Sequence, residues 1–162
     1  MSSEVDWVLH TIKTNWPGSF PNDLTRVDRD DSELLEDDIR EREGELQKSN
    51  FVGATHADED TEPTGSEYNS KLETVVGIRI EGLHVDEWGN VDPTGTDGIT
   101  WETLKNNIRR GILQERSFPP VGAPNRDYHT LLVTNQADQS DDYRDFYRYD
   151  FDVVLDGYET LP

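Results

Sequence analysis

Apolar positions recur along this chain in two rhythms, one helical and one alternating. At the start, Val5, Val8, Leu9, Ile12 and Trp16 fall at i, i+3, i+4, i+7 and i+11, one stripe of a helix over residues 3–16. Ser2 or Ser3 can cap it, Glu4 and Asp6 suit the positive end of its dipole, and Pro17-Gly18 stops it. A second helix is predicted where Trp101, Leu104, Ile108 and Ile112 recur on one face. Thr100 is its N-cap, Ile99 and Leu104 form a hydrophobic staple, and Pro119-Pro120 bars continuation.

The alternating rhythm predicts strands. Over residues 72–85, Leu72, Thr74, Val76, Ile78 and Ile80 alternate with Glu73, Gly77, Arg79 and Glu81. Gly77 and Gly82 are read as bends or a bulge in that strand. Residues 128–134 form a short run rich in β-formers. Tyr147, Tyr149, Phe151, Val153 and Leu155 then alternate with polar residues as in a strand buried on one face. The polar stretch 135–145 between these last two reads as a hairpin loop.

Residues 28–70 follow neither rhythm well. Leu35, Ile39 and Leu46 can share a helix face, with Glu36–Arg40 and Asp38–Arg42 as i, i+4 pairs. Residues 50–55 suggest a short strand, and 56–69, dense in Asp, Glu, Thr, Pro and Gly, a solvated loop. The whole stretch is read as an acidic extended arm. The order helix, arm, strand, helix, strand, strand predicts one α+β domain over 1–162, with helices on one face of a mainly antiparallel sheet.

Charge changes the setting of this fold. The 162 residues carry 20 Asp and 15 Glu against 11 Arg and 4 Lys, a formal charge of −20. At ordinary ionic strength such a charge opposes compaction, whereas in molar salt the Debye length falls to about 3 Å and screens it. Because the acids are spread among patterned apolar segments, they point to a protein of a salt-saturated cytoplasm or brine rather than to a disordered tail. No basic face is present to neutralise the phosphates of a nucleic acid. No apolar run reaches the length of a membrane span, no secretory pattern opens the chain, and no Cys can supply a thiolate.

Candidate chemistry is sparse. His10, His56, His84 and His129 form no HxH or HxxxH pair and read as surface or structural residues. Asp92, Thr94, Thr96 and Asp97 resemble a calcium loop only in part, since the closing bidentate Glu is missing, and a solvated turn is the better reading. Acids such as Glu87 and Asp92 are too numerous for any pair to stand out as catalytic. Phosphate-loop, dinucleotide and nucleophile-elbow motifs are absent. The expectation is a protein with no catalytic, cofactor or metal residues. Its candidate interface residues are Trp88, in a turn-rich loop, the Arg109-Arg110 pair, Tyr147 and Tyr158.

The element order, with the segments YNSKLETVVGIRIEGL at 68–83 and FYRYDFDVVLDGY at 146–158, resembles the tail-terminator or tail-completion proteins of tailed viruses, in the acidic form of haloarchaeal viruses. That resemblance implies a virion structural protein without enzymatic activity, at the head–tail joint of a particle assembled in the cytoplasm of a halophilic host. It implies a ring, usually of six copies, that ends tail-tube growth and meets a head-side connector or stopper. Genome DNA would slide through the lumen without specific binding. A head-completion protein of the neck and a non-viral halophilic adaptor are the alternatives.

Overall fold

A computed structural model describes residues 4–14, 26–29, 43–48, 50–63, 69–96, 98–114, 126–138, 140 and 145–160. The elements are α1 (Glu4–Thr14), β1 (Arg26–Arg29), α2 (Glu43–Leu46), β2 (Phe51–Pro63), β3 (Asn69–Leu83), a 3₁₀ turn at Val85–Glu87, α3 (Trp101–Gln114), β4 (Arg126–Asp138) and β5 (Phe146–Thr160). The five strands form one sheet in the order β1-β2-β3-β5-β4. The four long strands pair antiparallel, and β1 joins the β2 edge in parallel. This is the expected α+β fold.

Alternation along the two central strands decides which face the helices cover. Leu72, Val76, Ile78 and Ile80 of β3 and Phe151, Val153 and Leu155 of β5 form one buried cluster with Val5, Val8 and Ile12 of α1 and Leu104, Ile108 and Ile112 of α3. The helical stripes read from the sequence are therefore the faces that meet the sheet. Thr100 caps α3 as expected, its Oγ1 accepting from the Thr103 amide at 3.3 Å. One polar chain crosses this core: the Tyr128 hydroxyl donates to Glu4 at 2.7 Å and lies 2.8 Å from the Thr74 hydroxyl. It ties the acidic first turn of α1 to β3 and β4, as a buried polar group requires.

Three expectations are corrected. The segment read as a solvated loop at 56–69 carries strand β2 as far as Pro63, paired with β3 down to Pro63 opposite Ser70, so this part of the acidic arm is sheet. Strand β4 runs from Arg126 to Asp138, well into the stretch read as a loop. The irregularities fall between His56 and Asp58 in β2, and between Tyr128 and Thr130 and between Thr134 and Ala137 in β4. Strand β3, where Gly77 and Gly82 suggested a bulge, runs unbroken against β5. Gly82 instead makes room: a Cβ there would lie 2.5 Å from Val91 Cγ2. The helix proposed through Leu35 and Ile39, the end of α1 at Trp16 and the Pro119-Pro120 stop lie outside the described residues.

Candidate interaction site

The face of the sheet turned away from α1 and α3 is apolar at the Leu83 end, where α2 packs, then charged, then apolar again farther along the strands. Near the Leu83 end, Leu46, Phe51 and Leu83 form a small buried cluster with Phe146. Next along the strands, Arg79 and Glu81 are buried, opposite Asp150 and Arg148 in the register. Asp150 accepts from Arg79 Nε at 3.1 Å and from Arg148 Nε at 3.0 Å, so one carboxylate bridges two guanidinium groups. Farther along, Val75, Val154 and Leu132 stand side by side across three strands. Leu132 is 54% exposed. Rows containing Glu73, Asp156 and Thr130 on one side and Gly77, Asp152 and Thr134 on the other frame this apolar row. Tyr158 lies beyond it, opposite Lys71 on β3, and is 47% exposed.

A second feature sits at the Leu83 end, where residues 84–96 and 98–100 belong to a tightly bonded loop. The His84 ring accepts from the Asp86 amide through Nδ1 at 3.0 Å and so caps the 3₁₀ turn. The Trp88 and Gly89 amides donate to the carbonyls of Val85 and His84, and the Val91 amide to that of Leu83, all at 3.0 Å. Gly89 is required by close approach, since a Cβ would lie 2.0 Å from the Leu83 carbonyl oxygen. Asn90 donates to the Leu46 carbonyl at 3.1 Å and Gln47 to that of Glu87 at 3.2 Å, fastening the loop to α2. These bonds hold Trp88 at φ 63° with its side chain 76% exposed. A left-handed backbone is costly for a residue other than glycine, and here no buried packing of the indole offsets it.

Beside this loop, Val91, Pro93, Thr100, Trp101, Glu102 and Tyr147 line an open groove of about 330 Å³. The Trp101 and Tyr147 ring centroids are 5.2 Å apart at 39°, and Tyr147 stacks on His84 at 6.3 Å and 16°. Trp101 is anchored by its Nε1, which donates to Asp138 at 3.1 Å. Lys105 reaches the same carboxylate and Glu102, each at 2.8 Å. Burial disfavours charge on both Asp138 and Lys105. Their mutual hydrogen bond, with Ser140 and Trp101 also donating to Asp138 and Glu102 accepting from Lys105, outweighs it, holding Asp138 below and Lys105 above the ordinary range. The Tyr147 hydroxyl is pushed up by burial first, then by the charges of Asp145, Asp92 and Asp86.

The five sequence candidates thus part company. Trp88 and Tyr147 come together at one corner, although Tyr147 is half-buried against Trp101 rather than free on the surface. Tyr158 belongs to strand β5 and pairs with Lys71, twelve positions along β3 from Leu83, about 40 Å at strand spacing. Arg109 donates to Gln136 on β4 at 2.7 Å, while Arg110 is exposed on α3. Asp92 spends both carboxylate oxygens on the amides of Thr94 and Thr96 and on the Thr94 hydroxyl, which accounts for the turn. Among the described residues, no three His, Asp or Glu converge as metal ligands. The row of Val75, Val154 and Leu132, half-buried at the valines and exposed at Leu132, was missed by sequence reasoning. Its signal was present in two consecutive valines, Val75-Val76 and Val153-Val154, each of which puts an apolar residue on both faces.

No protein-family model matches the chain, and a search of the curated proteins returns no match.

Proposed function

We propose that this protein is a non-enzymatic assembly subunit: a ring-forming tail terminator that caps a tail tube and joins it to the head connector in a halophilic virus. The observation that carries the reading is the open stretch on the face of the sheet turned away from α1 and α3. Beyond the end where α2 packs through Leu46, a lean, acidic chain leaves Leu132 and Tyr158 exposed and Val75 and Val154 half-buried. A one-sided sheet of this kind gains by packing or pairing against neighbours, and a closed ring satisfies every copy equally. The charge of −20 supports the same reading, because copies would repel at low salt and associate where salt screens them. In such a ring the acidic loops can line a lumen that DNA passes without adhering.

Particle mass by light scattering in multi-molar KCl, with negative-stain images of the same fraction mixed with tail tubes, tests this. Rings, or caps confined to one end of the tubes, are expected. A chain that stays monomeric and ignores tubes would overturn the terminator reading. Binding to the head connector in place of the tube would move the protein to the stopper position.

A further inference from the structure

We infer that the free edge of β4 pairs with the same edge of a second copy, antiparallel about a two-fold axis at Leu132, joining two sheets into one. This pairing belongs to the chain free of any tube, closes at two copies and does not depend on the ring. Strand β4 is the last strand on its side of the sheet, and no described strand lies beyond it. Such an edge carries a row of backbone amides and carbonyls that its one neighbour does not use. Thr130 to Thr134 pair without a break against Asp156 to Asp152 of β5, and an irregularity on either side confines regular pairing to this stretch. The five residues, TLLVT, include no charge, no Pro and no Gly. The opposite border of the sheet is guarded. Beyond the four residues that β1 covers, β2 carries Asp58, Glu59, Asp60 and Glu62 and ends in Pro63. Charge and Pro are what keep an edge from pairing, and Thr130–Thr134 has neither.

The pleat decides the register, because side chains of one face must oppose those of the same face. Thr130, Leu132 and Thr134 stand on the open face, and Leu131 and Val133 on the face toward the main core. Centring on Leu132 sets Leu132 against its own copy, Leu131 against Val133 and Thr130 against Thr134. All are favourable cross-strand pairs. Centring on Leu131 or Val133 sets Leu132 against a Thr instead. With Leu132 at the centre, the row Val75–Val154–Leu132 continues through the second Leu132 into the second copy's row, six strands wide. Leu132, 54% exposed in the single chain, gains the neighbour it lacks. Charge does not forbid the contact. In the flanking rows, Asp156 of one copy and Asp152 of the other are separated by two threonines, three strand spacings or about 14 Å. That exceeds the Debye length of about 8 Å at physiological ionic strength and of about 3 Å in molar salt. This self-complementary pattern selects a second copy over an unrelated strand.

The chain has no Cys, so single cysteines can report the register. Mass is measured by light scattering over a concentration series in multi-molar KCl, without tubes. It should rise with concentration toward twice the monomer, because a five-residue pairing buries less than the roughly 1,200 Å² of a standard interface and is reversible. Under a short bismaleimide, Leu132→Cys should cross-link to itself. Thr130→Cys should not, since its two copies lie four residues apart along the strands, about 13 Å. Mixed with Thr134→Cys, it should give the heterodimer. Leu132→Lys, a change at an exposed position, should weaken pairing about tenfold. A monomer at every concentration overturns the inference and leaves β4 to a strand of another protein. So does self-linking by Thr130→Cys, or a dimer in which Thr130→Cys and Thr134→Cys fail to join. Rings whose Leu132→Cys copies do not cross-link would uphold the ring and overturn the pairing. Dimers of this register that ignore tubes would do the reverse.

Discussion

The two faces of the sheet are built from alternate residues of the same strands, yet they are organised by different forces. On the helix-covered face, Ile78, Ile80, Phe151 and Val153 are nearly or fully buried and meet two helices. On the other face, Arg79 and Glu81 are just as buried, but their neighbours are charged partners and a small apolar cluster, and the middle stays open. Apolar burial is non-directional and scales with area, so the first face supplies most of the stability. The second is specified by directional ion pairs and leaves apolar surface unspent. Under the proposed ring, stability and assembly fall to opposite sides of one layer.

The largest effect should come from the covered face. Ile80→Ala should lower unfolding stability by about 2–5 kcal/mol in chemical denaturation at high salt, and a loss comparable to that of a surface change would refute the division. Gly89→Ala should cost about 1–3 kcal/mol, because the new methyl meets the Leu83 backbone rather than a movable side chain. It should also alter the Trp88 fluorescence environment. Asp138→Asn probes the ion pair that fastens α3 to β4. Since the folded carboxyl is held below the ordinary aspartate value of 3.8, its stabilisation is present above that pH and is lost as pH falls through the depressed folded value. The stability difference between wild type and Asp138→Asn should therefore shrink at acid pH. A constant difference would argue against the linkage. Smallest of all, Leu132→Ser should change monomer stability by no more than about 0.5 kcal/mol while reducing ring formation. Intact rings from that variant would remove the exposed row from the assembly surface.

Legibility in the sequence followed the same division. The stripe of Val5, Val8, Leu9 and Ile12, the Thr100 cap and the alternation in β3 and β5 were readable because one face of each element is apolar and the other polar. The far half of β2 was not readable. In the stretch HADEDTEP no residue is a large apolar one, and Glu59 and Thr61 are both exposed. Its strand character comes from pairing along β3, which leaves no periodic trace in its own composition. Strand β1 was missed for a related reason: four residues, RVDR, are too few to show a period. The burial of Arg79 and Glu81 was hidden because charged residues at alternate positions read as a solvent face. Only their cross-strand partners on β5, some seventy residues away, reveal otherwise. Trp88 was legible as a candidate, whereas the groove needed tertiary information that brings Val91, Trp101 and Tyr147 together.

The central seam of the sheet also has a kinetic consequence. Strand β3 pairs with β5 along its whole length, joining Asn69 to Thr160 and Leu83 to Phe146, so each of its contacts closes a loop of roughly 60–90 residues. Only β2, next in sequence, can join β3 as a local hairpin. The hairpin should form early, on the microsecond scale, and wait for the arrival of β5, the step whose entropy sets the overall rate in the millisecond-to-second range. Until then β3 exposes a fifteen-residue edge, and the charged residues of its outward face, Lys71, Glu73, Arg79 and Glu81, oppose its pairing with another nascent chain.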